Sequence, residues 1–458
     1  MIPRDKDARL TISMPWTGRS APAKRAALRA AGSLAAAATW LVCAGVAQAQ
    51  VAETVLLNPA YPDGYEAYRQ QGVTEQGQGD WAARGIRAGS FEIFPQLRTE
   101  VAGTTNAYVS AVRNVATPFV TVSPAVRANS TWSRHYVGLT ADADLARYIG
   151  QTRRNENNWE VAATGKLDVS SSFSVTGEAQ ANQITLNRFS GELTVEAAAV
   201  AAIRQNSASV TAESSFGRGR FLASLEYLDL SFARILLVDG TQSDQSARNH
   251  SVMRASSQAE YSFTPALTVF AQMAYVRFDY RRPTTASIST SDSDGVRAVG
   301  GVRYEIQGLA RLTVAAGYSR RTYDVGGIGA IGRFTAEGRA EIFPSALTTI
   351  RIEAGHRFTD ARLIDSSPFL QNYAYGNISH ALRRNFTLGV NGGFQRQSYF
   401  ASSQVTRIMS LGLTARYLVS PHWELGARLI NSNRHTTSRT QDYSIQDTTG
   451  GISATFKI

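Results

Sequence analysis

Alternation of apolar and polar residues, repeated in segment after segment from Ser90 onward, is the feature that most limits how this chain can fold. In the segment ELGARLI, residues 424–430, Leu425 and Leu429 share one parity with Ala427, while the residues between them are polar or glycine. The segment MSLGLTARYLV, residues 409–419, alternates in the same way. A period of two places successive side chains on opposite faces of a β-strand. The pattern therefore predicts a sheet with one apolar and one polar face.

The connections between these segments are alternately short and long. Short ones, such as SFGRGRFL at 215–222 and IFPSALTT at 342–349, read as tight turns. Long ones are polar, and include DGTQSDQSARNH at 239–250, RRPTTASISTSDSDG at 281–295 and NRHTTSRTQD at 433–442. Counting to the last segment gives about 18 strands, with eight short turns and nine long loops, at about 20 residues for each strand and its connection.

A regular long and short alternation favours a membrane barrel over a soluble sandwich, which would need two sheets and a larger apolar core. A sheet inside a bilayer finds no water for its backbone groups, so it must close on itself and leave no edge. The sequence predicts an all-β fold, a transmembrane antiparallel up-and-down β-barrel of about 18 strands. The chain's last segment then belongs to the sheet, and its alternating apolar residues resemble a C-terminal insertion signal of outer-membrane barrels: Ile452, Ala454, Phe456 and Ile458.

The N-terminal part of the chain reads as an export signal. A basic segment leads into an apolar run that ends in Ala47-Gln48-Ala49, so residues 1–49 are expected to be a cleaved signal peptide. Residues 50–88 are expected to form a short periplasmic lead-in, and residues 89–458 the outer-membrane barrel of a Gram-negative cell. The only cysteine, Cys43, lies in the predicted signal peptide, which excludes disulfides and thiolate chemistry from the mature chain.

Charged residues are concentrated on the polar parity of the strands between residues 296 and 430. Ten arginines against five glutamates would make an electropositive lumen that attracts anions. Alternatively, the two residue types form cross-strand ladders that fill and stiffen the lumen. The predicted lumen-lining residues are Arg297, Arg303, Arg311, Arg321, Arg333, Arg339, Arg351, Arg357, Arg416, Arg428, Glu305, Glu337, Glu341, Glu353 and Glu424.

Several aromatic residues lie near the predicted strand ends, where barrels carry girdles of rings at the two membrane interfaces. They are Trp159, Tyr275, Phe278, Tyr280, Phe343, Tyr417 and Trp423. Stacking of sugar rings on lumenal tyrosines is the alternative interpretation.

Two stretches carry a resemblance to a known family. The segment GIRAGSFEIFP at 85–95 and the segment SPAVRANSTWSRH at 123–135, with the hairpins that follow, resemble the putative beta-barrel porin 2 family. The resemblance extends over nearly all of the chain after the predicted signal peptide. It implies a barrel associated with cell-surface or exopolysaccharide assembly, and hence an exit route for a polymer.

The leading hypothesis is an outer-membrane passage for export of a surface or extracellular polysaccharide. The alternatives are a general or anion-preferring diffusion porin and a structural barrel without transport. No arrangement of residues indicates an enzyme, a cofactor or a metal site, since the six histidines are scattered without ligand spacing. The expected partners are outer-membrane lipid, the barrel-insertion machinery and polysaccharide-export components. The net charge of +11 is partly due to the signal peptide and does not indicate nucleic-acid binding.

Overall fold

The computed structural model describes residues 72–73, 79–111, 114–186, 189, 199, 201–237, 240–281, 292–324, 329–359, 368–400, 402–439 and 442–458. The predicted signal peptide and most of the predicted lead-in lie outside these ranges.

Eighteen long strands, of 12 to 16 residues each, make up almost all of the described structure. They are β1 (Phe91–Thr104), β2 (Thr117–Ser130), β3 (Tyr136–Tyr148), β4 (Glu156–Asp168), β5 (Phe173–Thr185), β6 (Ala202–Phe216), β7 (Gly219–Phe232), β8 (His250–Ser262), β9 (Leu267–Tyr280), β10 (Ser293–Ile306), β11 (Ala310–Tyr323), β12 (Ala330–Ser345), β13 (Thr348–Thr359), β14 (Phe369–Arg383), β15 (Phe386–Tyr399), β16 (Val405–Leu418), β17 (Trp423–Thr437) and β18 (Asp442–Lys457).

Each strand pairs antiparallel with the next strand in the chain, and β18 pairs with β1 to close the sheet. In the closing pair, Gln96 lies opposite Lys457 and Thr104 opposite Thr449. The periplasmic end of the same β1 edge is covered by a three-residue strand, Ile86–Ala88, which folds back onto residues 91–93. The predicted all-β, closed, antiparallel barrel of about 18 strands is confirmed.

The turns at one end of the barrel are tight. The pairs β6/β7, β12/β13 and β14/β15 are each joined by two residues, and Gly217 adopts the positive φ of 57° that a two-residue hairpin favours. The connections at the other end are mostly longer, the longest being residues 186–201 and 233–249. Since such barrels carry their short turns in the periplasm, the long connections are extracellular.

One predicted loop is wrong. The segment NRHTTSRTQD at 433–442 was expected to be a long loop, but β17 continues to Thr437 and β18 begins at Asp442. Its polar residues belong to paired strands at the extracellular end of the barrel, where the outward face meets headgroups or water instead of lipid chains. An apolar parity therefore does not mark this part of the hairpin.

The two faces of the sheet differ in chemistry and exposure. On β11, the outward Val314 and Tyr318 have exposed fractions of 60% and 55%, whereas the inward Arg311 and Arg321 have 5% and 4%. Within a bilayer, the outward face meets lipid chains, which explains why large apolar side chains lie there. No helix among the described residues is long and apolar enough to cross a membrane.

Aromatic residues form an outward girdle at the periplasmic end. Trp423 packs on Phe456 with ring centroids 5.3 Å apart, and Tyr417 on Phe386 at 6.1 Å. All four lie on outward positions near the short turns.

Three of the predicted girdle residues face inward instead. Phe278 and Phe343 are buried, with 6% and 3% exposure, and Tyr280 packs against the same inner cluster as Phe278. Phe343 shares the face of Glu341, and the Arg311 guanidinium lies 4.9 Å from its ring centroid. Proximity to a strand end thus did not determine the facing of these rings, which follows from parity along the strand.

Closure predicts how the protein behaves when its last segment is removed. Deleting residues 451–458 removes seven of the β18 positions paired with β1, leaving an edge whose backbone groups have no partner in lipid. We expect the full chain to migrate differently in detergent gels before and after boiling. The truncated chain, folded into lipid vesicles without cellular factors, should lose that difference.

A deletion of equal length at the start of the predicted lead-in, residues 50–57, is the control and should leave the mobility difference intact. A truncated chain that still shifts on boiling would contradict closure by β18.

Candidate functional site: the barrel lumen

The strand register places all of the predicted lumen-lining residues on the parity opposite to the exposed apolar side chains. On β12, for example, Arg333, Glu337 and Arg339 alternate with Phe334, which is 57% exposed on the outward face. The same holds on β10, β11, β13, β16 and β17. These side chains therefore share the interior of the barrel. Whether each one contributes accessible charge to the lumen depends on its ion-pair partners.

Four strands on one side carry a ladder of ion pairs. Glu341 accepts from Arg311 at 2.9 Å on one neighbouring strand and from Arg351 at 2.8 Å on the other. Cross-strand positions on one face lie close enough for opposite charges to meet. Two further pairs continue the ladder: Arg297 with Glu337 at 3.3 Å, and Arg339 with Glu353 at 3.5 Å.

The ladder extends to residues that the sequence reasoning missed. Glu260 on β8 lies 3.5 Å from Arg303 on β10, across β9, and 3.6 Å from Arg220 on β7. Arg220 also donates to Glu213 on β6 at 2.8 Å. Arg303, Glu260 and Arg220 are all nearly fully buried, so these charges compensate one another rather than face water.

Another ion pair bridges the closing seam of the barrel. Glu100 on β1, only 2% exposed, accepts from Arg428 on β17 at 2.5 Å and lies 3.8 Å from Arg98. The bridge passes over β18 at Gly451, where a Cβ would lie 2.6 Å from the Glu100 Oε1 atom. A glycine at this position therefore leaves room for a charge pair that spans three strands.

A second charge group lies beside the seam, on β16 to β18 and nearer the periplasm. Glu424 accepts from Arg416 at 2.7 Å and from Lys457, the last strand residue, at 2.9 Å. Seven of the ten predicted arginines thus have a carboxylate partner in the described part of the chain. The other three lie over aromatic rings: Arg321 over Phe278 at 3.8 Å, Arg333 over Phe400 at 4.9 Å and Arg357 over Tyr373 at 4.9 Å.

The opposite part of the inner wall, on β2 to β6, is different. Many of its inward side chains are partly exposed, and most of the polar ones carry hydroxyl, amide or carboxylate groups. Its two inward cations are Arg127 on β2 and Lys166 on β4, and Lys166 lies 3.7 Å from Asp168. Asp142 and Glu160 lie directly opposite each other on β3 and β4, and Glu178 on β5 is exposed. None of these three carboxylates forms an ion pair with a described residue, and they outnumber the inward Arg127, so the net accessible charge of this wall is negative. Other members of this wall are Ser123, Thr140, Asn158, Thr164, Gln180, Ser207, Ser209 and Thr211.

Apolar clusters occupy the inner wall at the extracellular end. Leu186, Ala201 and Ile235, from the two longest connections, pack on inward residues of β6 to β9 such as Leu230 and Phe232. A second cluster packs Ala107 and Tyr108, from the connection after β1, on inward residues of β1 to β3. Parts of three connections are therefore held inside the extracellular mouth.

Residues of the predicted lead-in reach the inner wall at the opposite end. The Val73 N–H donates to Thr349 Oγ1 on β13 at 2.8 Å, and Gly72 lies against the same side chain and Arg351. Thr349 is near the periplasmic start of its strand and is 1% exposed. The chain before the barrel therefore contacts the periplasmic end of the lumen.

The predicted C-terminal signal lies on the outward face of β18. Ile452 is 69% exposed, and Phe456 packs in the periplasmic girdle. Ala454 lies between them on the same parity, and Ile458 follows the strand end, where its N–H donates to the Pro95 carbonyl at 3.1 Å. In the described part of the chain, no group of three or more potential ligands is arranged to hold a metal ion.

A family model described as "Putative beta-barrel porin 2" matches residues 79–457, which include every strand of the barrel. The chain belongs to this family. The protein is therefore a porin-family β-barrel of the outer membrane of a Gram-negative cell. No curated protein sequence matches the chain significantly.

Several solved barrels are distantly similar. The outer membrane protein OpdK from Pseudomonas aeruginosa matches with a TM-score of 0.43 and 12% identity, over 80% of this chain and 99% of that chain. OccK2 (OpdF) from the same organism, solved in complex with glucuronate, matches with a TM-score of 0.44 and 9% identity, over 80% of this chain and 98% of that chain. OccAB4 from Acinetobacter baumannii matches with a TM-score of 0.42 and 9% identity, over 80% of this chain and 98% of that chain. Likenesses this distant say nothing about cargo.

The seam ion pair predicts a specific loss of stability. Replacing Glu100 with Gln leaves the Arg428 guanidinium partly buried without its counter-charge, and we expect the free energy of unfolding to fall by about 2 kcal/mol. The measurement is denaturant unfolding of the barrel in lipid vesicles. Glu92→Gln is the control, because Glu92 lies on the same strand and face without an ion pair to a described residue. Equal stability of the two variants would show that the seam pair contributes little.

Proposed function

We propose that this barrel is a non-enzymatic passage through the outer membrane, and that its cargo is a surface or extracellular polysaccharide leaving the cell. The observation that supports the proposal is the accessible inner wall on β2 to β6, where hydroxyl, amide and carboxylate side chains predominate. Such groups exchange hydrogen bonds with the hydroxyls of a sugar chain without fixing it in one place. Polymer transport requires binding weak enough to release each unit.

The family resemblance supports the same cargo, because it associates such barrels with exopolysaccharide assembly. Proposed partners are polysaccharide-export components on the periplasmic side and the barrel-insertion machinery, which would read the outward C-terminal signal.

The second candidate is a diffusion porin, and the charges bear on which solutes it would prefer. The arginine excess on β10 to β17 would favour anions if those side chains faced water. However, seven of the ten are compensated by carboxylates, and several of these pairs are buried. The accessible charges of Asp142, Glu160 and Glu178 then outweigh that of Arg127 on the same wall, so we propose a weak preference for cations over anions. A structural barrel without transport is the remaining alternative.

Conductance through planar bilayers tests both the passage and its selectivity. Purified protein should form channels whose reversal potential in a salt gradient indicates a cation preference. The triple variant Asp142→Asn, Glu160→Gln, Glu178→Gln should abolish or reverse that preference, because it removes the accessible negative charges. Asp229→Asn is the matched control, since Asp229 lies on the outward parity of β7 and pairs with Arg281 at 2.6 Å.

Channels that prefer anions and do not respond to the triple variant would contradict the charge assignment. A protein that never conducts would favour the structural barrel.

Gene deletion separates export from diffusion. Without this protein, we expect secreted polysaccharide to be lost or retained in the periplasm while the uptake of small hydrophilic solutes stays normal. The measurement is the amount of extracellular and periplasmic polymer, with uptake of labelled small sugars assayed in parallel. Normal secretion combined with impaired uptake would assign the barrel to diffusion.

A further inference from the structure

An unusual row of basic and polar residues crosses the outward face of the barrel near its extracellular end. Strand register places five residues side by side on β13 to β17, in the order His356, Asn372, Arg396, Arg407 and His435. We call these residues the outer basic row. Their parity is that of the lipid-facing side chains, not that of the lumen.

The height of the row on the barrel follows from the residues next to it. Phe394 and Met409, each two residues closer to the periplasm on the same outward faces, are 37% and 54% exposed. On β16 the outward apolar residues continue from Met409 to Tyr417 at the periplasmic girdle. Arg396 and Arg407 therefore lie near the extracellular edge of the apolar band on β15 and β16, at the level of the outer-leaflet headgroups.

The centre of the row places two like charges together. Arg396 and Arg407 are directly opposite each other on adjacent strands, and both are exposed. Like charges in such a position repel, and neither guanidinium makes a hydrogen bond or an ion pair within the described part of the chain. By contrast, the outward Arg277 on the far side of the barrel is held by Asp294 at 2.6 Å and Asp279 at 2.9 Å.

A ligand that compensates this repulsion must be anionic and must lie at headgroup level. Guanidinium groups offer paired N–H donors that match the oxygens of a phosphate. An anion at this height, bonded to chains that cover Phe394 and Met409, is the phosphorylated headgroup of a lipid. Phosphate free in solution would gain nothing from the apolar side chains below the row.

We propose that the outer basic row binds the phosphorylated headgroup of an outer-leaflet lipid, with Arg396 and Arg407 as the main contacts. The bound lipid fixes one side of the barrel in the outer leaflet. The proposal depends on the barrel's place in the membrane and not on its cargo, so it stands or fails independently of polysaccharide export.

Binding of phosphorylated lipid A to the full-length barrel in non-ionic detergent tests this proposal, with native mass spectrometry as the readout. The double variant Arg396→Gln, Arg407→Gln should bind roughly ten- to thirty-fold more weakly than the wild type. Arg277→Gln is the matched control and should leave affinity within about twofold, because its carboxylate partners already compensate its charge. Dephosphorylated lipid A should bind the wild type as weakly as phosphorylated lipid A binds the double variant.

Thermal unfolding supplies an independent readout of the same site. Without lipid, the double variant should be at least as stable as the wild type, since the repulsion is gone; with phosphorylated lipid A, the wild type should be stabilised more. If the double variant does not fold, comparing the binding of phosphorylated and dephosphorylated lipid A to the wild type still tests whether the phosphate groups are required.

Equal affinity of wild type and double variant, or an equal loss in the Arg277 variant, would overturn the proposal. Competition by inorganic phosphate at concentrations similar to those of the lipid would also overturn it, because the site would then be a simple anion site.

Discussion

Backbone hydrogen bonding in a medium without water is the constraint from which the rest of this structure follows. Inside a bilayer each unpaired N–H or C=O group costs several kcal/mol, so a spanning sheet is stable only without edges. Here the last strand pairs with the first from Gln96 to Thr104, and a short N-terminal strand covers the remaining part of the same edge. Residues 449–457 are thus part of the closed sheet.

Closure also creates two chemical environments for side chains, one facing lipid and one facing the lumen. Outward positions must be apolar between the headgroup levels, whereas inward positions collect nearly all of the charges within the span. Confinement of so many charges is tolerable because opposite signs lie on neighbouring strands, as Arg311, Glu341 and Arg351 do. The seam uses the same device, with Gly451 allowing Glu100 to reach Arg428 across β18. What remains accessible on β2 to β6 then determines how the lumen interacts with solutes.

The number of strands and the positions of the tight turns could be predicted because both depend on local sequence. A period of two and a turn signal can both be recognised in a short stretch of sequence, without knowing which strands are adjacent in the sheet. Parity alone assigns most side chains to a face. The prediction failed where that logic ends. At 433–442 the strands reach the extracellular edge of the membrane and lose their apolar parity. Phe278 and Phe343 were assigned to the girdle from their place near strand ends, whereas their parity places them inward.

Partners across strands could not be predicted from the sequence. Whether Arg303 finds Glu260 depends on the register of three strands, and the sequence carries no signal for that register. The same limit left the balance of charge open, since residues 296–430 were compatible with an electropositive lumen and with cross-strand ladders, and only the register shows that most of those arginines are paired. The packing of Leu186 and Ile235 onto the inner wall is also a tertiary effect that depends on closure. The outer basic row likewise exists only because the register places Arg396 beside Arg407.

Cross-linking of the two chain ends tests closure most directly. Thr99 and Ala454 are opposite each other in the β1–β18 pair and point outward, and opposed Cα atoms in such pairs lie about 4.5 to 5.5 Å apart, within the range of a disulfide. In cells carrying Thr99→Cys and Ala454→Cys, oxidation should join the ends, so that protease cleavage in an extracellular loop leaves both fragments covalently linked. A mismatched pair, Thr99→Cys with Thr449→Cys, should not link. Separate fragments from the matched pair would contradict a barrel closed by its last strand.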